Sequence, residues 1–349
     1  MLWGHPHPER EIIKRATIID IAKVTGVSPK TVSRALNDVP HVSPAVRKKV
    51  KEAAAALDYH PNIAAQSLIA RRTFLIGLTY ERPSPSYVVE LQKGAIDRLE
   101  NERYRLVVLP FGDVASRPAE LGQFLVRAGL DGVLLAPPAC DQPEVLDILE
   151  RQKLAYARIT PHQDLDRGIV IVMDECHAAR DVAAHLLKLG HRRIGIIMGD
   201  PSHSASAARM AGYRQAFAAA GVSIDENLIV RGDFTYDKGH EAALILLSRR
   251  PAPTAILAQN DDMAVAAMAA ARASGLSVPD DLSVAGFDNS EISRTAWPQL
   301  TTVHQPVHEM AWEATNLLIA ALESGDVASC RRDRRHEVLA RGSTAAPAG

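Results

Sequence analysis

Aromatic residues and cysteines are scarce in this chain of 349 residues: aromatics make up 5% of it, and only 3 cysteines occur. Few aromatics beside abundant alanine favour helices over an all-β sandwich. Cys140, Cys176 and Cys330 are odd in number and widely spaced, so they predict neither a disulfide framework nor a metal site. We expect reduced, structural thiols.

Long apolar segments are also missing. The longest apolar run, Met263–Ala271, is about half as long as a membrane span needs to be. The first fifteen residues lack the apolar stretch that a secretory signal requires. The sequence therefore predicts a cytoplasmic protein that does not contact a membrane.

The common catalytic motifs are absent as well. There is no Walker loop, no G-x-G-x-x-G after the first predicted strand, no H-E-x-x-H and no G-x-S-x-G. Nothing in the sequence assembles a nucleophile, a base and an oxyanion donor. We therefore predict a protein that is not an enzyme and that uses no cofactor and no metal.

The net charge of −1 hides a marked asymmetry along the chain. Residues 1–72 carry 12 Lys and Arg against 6 Asp and Glu, a net charge of +6. Residues 73–349 carry 28 against 35, a net charge of −7. A basic amino-terminal part on an acidic remainder indicates that the first part binds a polyanion such as nucleic acid.

The chain also changes pattern near residue 74. Residues 1–15 read as a disordered lead, and residues 16–60 contain three short helical patterns, the later two started by Ser28-Pro29 and Ser43-Pro44. From residue 74 to 342, β-rich runs alternate with amphipathic stretches, which predicts two α/β lobes of parallel strands covered by helices. A ligand would bind between such lobes, near the carboxyl ends of the strands. Residues 343–349 are predicted to be a disordered tail.

The predicted strands are Leu75–Tyr80, Leu106–Phe111, Gly132–Ala136, Ile169–Met173, Arg193–Met198, Thr254–Ala258 and Leu282–Phe287. The predicted helices between them include residues 87–101, 176–189, 204–220, 237–250 and 261–274.

The first helical patterns fit a helix-turn-helix. Ala22 supplies the small contact between two crossing helices, Gly26 the turn, and Val27 and Val32 the apolar residues that hold the second helix. That helix carries polar groups able to enter a DNA groove. Taken alone, the spacing also suits any helix hairpin, but the charge of the segment favours DNA.

The stretch TIIDIAKVTGVSPKTVSRALND, continued by VSPAVRKKVKEAAAALDYHPNIAAQSL, resembles the amino-terminal part of the LacI/GalR family of bacterial transcription regulators. The resemblance extends over residues 16–342. It implies a helix-turn-helix domain, a hinge helix and linker at residues 61–73, and a two-lobe body like a periplasmic binding protein. It also implies a homodimer on a pseudo-palindromic operator.

The resemblance carries DNA-binding roles over by position. Pro29 and Lys30 stand where the family reads bases, with Arg34 further along the exposed face, although proline offers no hydrogen-bond donor. Leu68 stands where a leucine enters the minor groove; on the sequence alone, a linker or core leucine is the alternative. The remaining candidates, as phosphate contacts or at the hinge junction, are Thr17, Ser28, Thr31, Ser33, Asn37 and Asn62.

The predicted effector site has the side chains that a sugar requires, with paired hydrogen-bonding groups and an aromatic face. Asp261 could instead cap a helix, Asp288 could be a turn residue, and Arg209 a surface charge. Thr160 replaces the Asp of several sugar-responsive members, and Arg158 beside Arg209 would suit a phosphorylated or carboxylated sugar. The candidates are Tyr80, Ser86, Tyr87, Arg158, Arg209, Phe234, Asn260, Asp261, Asp288 and Gln305.

The sequence thus predicts a DNA-binding transcriptional regulator, a repressor of carbohydrate-utilisation genes controlled by a small sugar-like effector. Two alternatives stay open. A two-lobe solute-binding protein would need a signal peptide, and a sugar-processing enzyme would need a catalytic constellation. The identity of the effector, the operator, the sense of the response and the choice of dimer or tetramer are left undecided.

Overall fold

The computed structural model describes residues 16–36, 40–59, 72–81, 84–326 and 328–348. Contacts divide the chain into an amino-terminal unit that ends at Arg72 and a body that begins at Thr73. The predicted lead at residues 1–15 and most of the predicted hinge lie outside the described residues. So do three of the predicted DNA contacts, Asn37, Asn62 and Leu68.

Three helices form the amino-terminal unit: α1 (Ile18–Thr25), α2 (Pro29–Leu36) and α3 (Pro44–Ala56). Gly26 ends α1 with φ of 69°, a left-handed conformation that costs glycine nothing because it has no Cβ. Val32 and Val50 are fully buried between the helices. A small apolar core therefore holds the three helices together.

The first lobe of the body is a six-stranded parallel sheet. Its strands are β1 (Leu75–Tyr80), β2 (Arg105–Pro110), β3 (Gly132–Leu135), β4 (Ala155–Ile159), β5 (Ile169–Met173) and β11 (Cys330–Arg334), in the spatial order β11-β5-β4-β3-β1-β2. Its helices are α4 (Pro85–Leu99), α5 (Pro118–Arg127), α6 (Pro143–Arg151) and α12 (Val307–Ser324). Every residue of β3, β4 and β5 is buried, as expected of parallel strands covered on both faces.

The second lobe is a four-stranded parallel sheet. Its strands are β6 (Ile194–Met198), β7 (Ile229–Arg231), β8 (Ala255–Ala258) and β9 (Ser283–Ala285), in the order β7-β6-β8-β9. Its helices are α7 (Glu175–Lys188), α8 (Ser204–Ala219), α9 (Tyr236–Ser248), α10 (Asp261–Ala273) and α11 (Glu291–Thr295). A short antiparallel pair, β10 (Thr302–His304) with β12 (Glu337–Leu339), completes the body.

The described chain passes between the lobes at Asp174, at Gln305-Pro306 and at Arg335-His336. The second passage leads into α12, which packs on α4 of the first lobe. Gly94 allows this close approach, because a Cβ there would lie 2.1 Å from the carbonyl oxygen of His308. Because the chain passes from one lobe to the other three times, neither lobe is a continuous piece of chain.

The predicted fold class, three helices followed by a body of parallel sheets flanked by helices, is confirmed. Within the part of the chain that the structure describes, no helix has both the length and the apolarity to cross a bilayer. The predicted strands omitted β4, which is as buried as its neighbours but contains the arginine Arg158.

The prediction of a disordered tail from residue 343 is wrong for residues 343–345. Ser343 is fully buried: its hydroxyl donates to the carbonyl of Val284 at 2.6 Å and accepts from the amide of Thr301 at 2.8 Å. Ala345 donates to the Ser283 hydroxyl at 3.0 Å. Composition suggested fraying here, but the Ser343 hydroxyl and the Ala345 amide both hydrogen-bond to β9 at the edge of the second sheet.

Candidate functional site

A cavity lies between the two lobes. Its polar lining follows the carboxyl ends of strands in both sheets, where the fold places a ligand. The lining residues are Ser84, Tyr87, Pro137, Thr160, Glu175, His203, Ala205, Arg209, Phe234, Asn260 and Asp288. Five of them were predicted: Tyr87, Arg209, Phe234, Asn260 and Asp288.

Arg209 is the central cation of the cleft. Its side chain is 5% exposed and its Nε donates to Glu175 at 2.8 Å, while Nη1 donates to the carbonyl of Gln259. The guanidinium carbon lies 3.7 Å from the centre of the Phe287 ring. An ion pair and an aromatic face thus fix the arginine before any ligand arrives, and the reading of Arg209 as a surface charge is excluded.

Asp288 faces the same cleft with less compensation. Its carboxylate lies 3.9 Å from Nη2 of Arg209, whose closer partner is Glu175. Burial raises the pKa of Asp288 well above its usual range; Arg209 opposes the shift, and the neighbouring acidic groups add to it. Asp288 therefore gains the proton, and with it the ability to donate a hydrogen bond, more readily than an exposed aspartate.

Three lining residues adopt backbone conformations that side chains disfavour. The φ values are 52° for Thr160, 70° for Phe234 and 120° for Asp288. The Phe234 carbonyl accepts from Nδ2 of Asn260 at 2.9 Å, and the other amide atom of Asn260 caps α10. Strain of this kind is typical of ligand-binding positions, which the surrounding structure must hold in place.

The first lobe contributes Tyr87, whose hydroxyl lies 3.4 Å from that of Thr160. Burial raises the pKa of Tyr87, so its phenol stays protonated and can both donate and accept. The cleft therefore has hydrogen-bonding groups on both lobes, and a ligand touching both would bind better when the lobes are close.

The ring of Phe234 depends on the absence of a side chain at Gly199. A Cβ on Gly199 would lie 2.0 Å from Cζ of Phe234. Gly199→Ala is therefore expected to displace the ring and lower the free energy of unfolding by about 1–3 kcal/mol. Gly112→Ala is the matched control, because nothing lies within 4 Å of its added Cβ. Urea denaturation measures both variants; equal losses would contradict the packing argument.

Two predicted effector contacts need correction. Arg158 is fully buried, and its guanidinium donates to backbone carbonyls of Cys140, Asp164 and Gln163 at 2.6–2.7 Å. It holds a loop and does not reach the cleft, which removes the argument for an anionic sugar. Asp261 is fully buried too: it accepts from Ser290 and Thr302, and Asn260 caps the helix in its place.

Three further candidates do not line the cavity itself. Ser86 and Gln305 line a neighbouring groove, which shares Tyr87 and Asp288 with it. Gln305 accepts from Arg209 at 3.5 Å, so it can act on the cleft through that arginine. Tyr80 lines neither space.

Sequence reasoning missed Glu175 and His203. Glu175 directly follows Asp174 at the start of α7, in the ordinary place for acidic residues near a helix amino terminus, so nothing marked it as a partner of Arg209. His203 precedes α8 and its ring lies 5.4 Å from that of Phe234. Burial lowers the pKa of His203, which keeps the ring neutral.

A second candidate surface lies on the amino-terminal unit. Lys30 and Arg34, four residues apart on one face of α2, are exposed, as is Pro29 at its start. Thr17 and Ser28 are exposed but also cap α1 and α2, because their hydroxyls accept from the amides of Asp20 and Thr31. Thr31 and Ser33 are half-buried on α2.

Both parts of the chain resemble known proteins. Residues 17–62 match the model for bacterial regulatory proteins of the lacI family, and residues 183–344 match a periplasmic binding protein-like domain. DegA, a transcriptional regulator of Bacillus subtilis, is 36% identical over 86% of this chain and 89% of its own. The chain belongs to the LacI family. This LacI-family protein is a DNA-binding transcriptional regulator.

Other relatives cover nearly the whole regulator. The repressor CytR of Escherichia coli is 32% identical over 95% of this chain and 97% of its own. A Lac repressor dimer bound to operator and the anti-inducer ONPF superposes with a TM-score of 0.82 at 26% identity, covering 95% of this chain and all of that one. A CelR–cellobiose complex gives 0.70 at 31% identity, covering 94% and 100%.

Proposed function

We propose that this LacI-family regulator represses carbohydrate-utilisation genes and that a sugar held in the cleft controls its operator binding. The observation that carries the proposal is the cavity in which Arg209, Asp288 and Asn260 meet the ring of Phe234. The polar side chains can hydrogen-bond to pairs of sugar hydroxyls, and the C–H face of a sugar ring can stack on the phenylalanine. The cellobiose bound to CelR supports this class of ligand.

The charges of the cleft favour a neutral sugar over a phosphorylated one. Arg209 forms an ion pair with Glu175, and Asp288 adds a further acidic group nearby. The guanidinium of Arg158 donates its hydrogen bonds to backbone carbonyls. A phosphate would therefore lose its hydration without gaining an unpaired cation. Because groups on both lobes line the cavity, the ligand would favour one lobe arrangement and shift operator binding by about 1–3 kcal/mol.

We propose further that the regulator acts as a homodimer in the cytoplasm on a pseudo-palindromic operator, without a cofactor and without catalytic activity. The operator-bound Lac repressor dimer supports the assembly. The relatives named above are transcriptional regulators, which supports the absence of catalysis.

A thermal-shift screen of the full chain tests the ligand. We expect one or more neutral mono- or disaccharides to raise the melting temperature, and their phosphorylated forms to have no effect. Operator affinity with and without the hit then gives the sense of the response. Stabilisation by sugar phosphates alone, or conversion of the sugar to a product, would contradict the proposal.

On the amino-terminal unit we propose that Lys30 and Arg34 read base edges in the major groove. Pro29 would fix the start of the helix, and Thr17, Ser28, Thr31 and Ser33 would contact phosphates. The exposure of Lys30 and Arg34 on one face of α2 supports this assignment.

Arg34→Ala is expected to cost about 1–3 kcal/mol at the cognate operator and to relax base choice there, because a bidentate contact to guanine is lost. Lys48→Ala, on the exposed surface of α3, should weaken binding to all sequences more evenly. Affinities for operator variants selected from a random duplex library measure the difference. Equal, sequence-independent losses in both variants would mean that α2 does not read bases.

A further inference from the structure

Three potential metal ligands meet away from the effector cleft. His177 and Asp181 lie four residues apart on α7, and His336 lies on the passage from β11 to β12. Their ligand atoms all lie within 4.8 Å of one another. No role described above uses these side chains, and His336 is 155 positions from Asp181 in sequence.

The distances between the ligand atoms are close to those around a metal ion with tetrahedral coordination. Oδ2 of Asp181 lies 3.4 Å from Nε2 of His177 and 2.9 Å from Nε2 of His336. Ligands at zinc-bond lengths of about 2.0–2.2 Å are separated by roughly 3.3–3.5 Å in a tetrahedron. Small side-chain rotations would therefore bring the three atoms around one ion, with a water molecule as the fourth ligand.

The surroundings support such a site. Arg180 donates to Oδ1 of Asp181 at 3.4 Å, which orients the carboxylate and leaves Oδ2 toward the two histidines. The His177 side chain is 46% exposed and that of His336 only 14%. An ion could therefore reach the cluster from solvent on the His177 side, while the protein packs around His336. The two rings meet edge to face at 5.1 Å.

We propose that His177, Asp181 and His336 bind a divalent transition-metal ion, of which Zn²⁺ fits best. Two imidazoles and one carboxylate are a common zinc ligand set. The ion would tie α7 of the second lobe to the chain passage that links the lobes. It would therefore fix the position of the passage at Arg335-His336, one of the three between the lobes.

Metal binding must displace a proton. A hydrogen bond from His336 to Asp181 requires a proton on Nε2, the nitrogen that would bind the ion. On binding, this proton leaves for solvent or for Nδ1, and the ion takes its place against Oδ2.

The test titrates the full, tag-free, EDTA-treated chain with Zn²⁺ by calorimetry and with Co²⁺ by visible absorption. We expect one ion per chain and a tetrahedral cobalt spectrum. Outer-shell changes alone cost zinc sites about 10–100-fold in affinity, so His177→Gln, Asp181→Asn and His336→Gln should each cost at least about 10-fold. Because the His177 side chain is 46% exposed, His177→Gln is expected to fold like the unmodified protein.

Two controls separate this site from other ligands. His308 and Asp97 form an exposed pair at 2.7 Å that includes no third ligand among the described residues, so His308→Gln should leave binding unchanged. Cys176→Ser tests the thiol beside His177. His5 and His7 remain in every variant and add a constant background. Absence of stoichiometric binding, unchanged binding in the His177 and His336 variants, or a loss confined to Cys176→Ser overturns the proposal.

Discussion

Operator affinity is expected to fall by about 10³- to 10⁵-fold when salt rises from about 50 to 200 mM. A dimer that contacts roughly 6–10 phosphates releases as many counterions, which gives a slope of about −5 to −9 for log K against log salt. The basis is the net charge of +6 in residues 1–72 and the exposed cations of α2 and α3. Fluorescence anisotropy over a salt series measures the slope.

Deleting residues 1–72 provides the control for this prediction. The body from Thr73 onward has its own contacts and carries a net negative charge, so it should fold, keep its sugar affinity and lose DNA binding. A body that still bound operator equally well, or a slope near zero for the full chain, would contradict the assignment of DNA binding to the amino-terminal unit.

Arg209→Ala is expected to abolish the ligand response and to lower the free energy of unfolding by about 3–5 kcal/mol. The change removes the cation that faces the cleft and leaves Glu175, 1% exposed, without its partner. A buried carboxylate without compensation is costly, so the loss exceeds that of the missing contact. Chemical denaturation and ligand titrations of operator affinity measure the two effects.

The matched control lies on the same helix. Arg214 also pairs with a glutamate, Glu226, at 2.7 Å, but both side chains are more than half exposed. Arg214→Ala should therefore change stability little, because water and salt already screen that pair. Arg209→Ala,Glu175→Gln should recover part of the lost stability and none of the ligand response. Equal effects of Arg209→Ala and Arg214→Ala would contradict the role of burial.

The amino-terminal unit could largely be predicted from sequence because its signals are local. Ser28-Pro29 and Ser43-Pro44 mark helix starts, and Gly26 marks a helix end; these features act within a few residues. The alternation of strand and helix patterns in the body is equally local. This alternation indicated parallel sheets, and the carboxyl ends of parallel strands lie at the same edge of a sheet.

Partners across the fold could not be predicted in this way. Arg158 on β4 and Arg209 on α8 were both predicted as effector contacts, yet one donates to the carbonyls of a loop and the other faces the cleft. Glu175 gave no local signal because its role depends on a residue 34 positions away. Sequence proximity is a poor guide wherever a buried charge finds its partner through the tertiary fold.

The sequence by itself determined the family, the helix-turn-helix, the two-lobe body and five of the residues that line the cleft, because helix signals, strand periodicity and motif spacing are properties of neighbouring residues. Only the tertiary structure decided that Arg158 and Asp261 are structural, that Ser343 is buried, and that His336 meets His177 and Asp181. Those outcomes depend on which distant segments pack together, and burial there fixes the partner of each polar group.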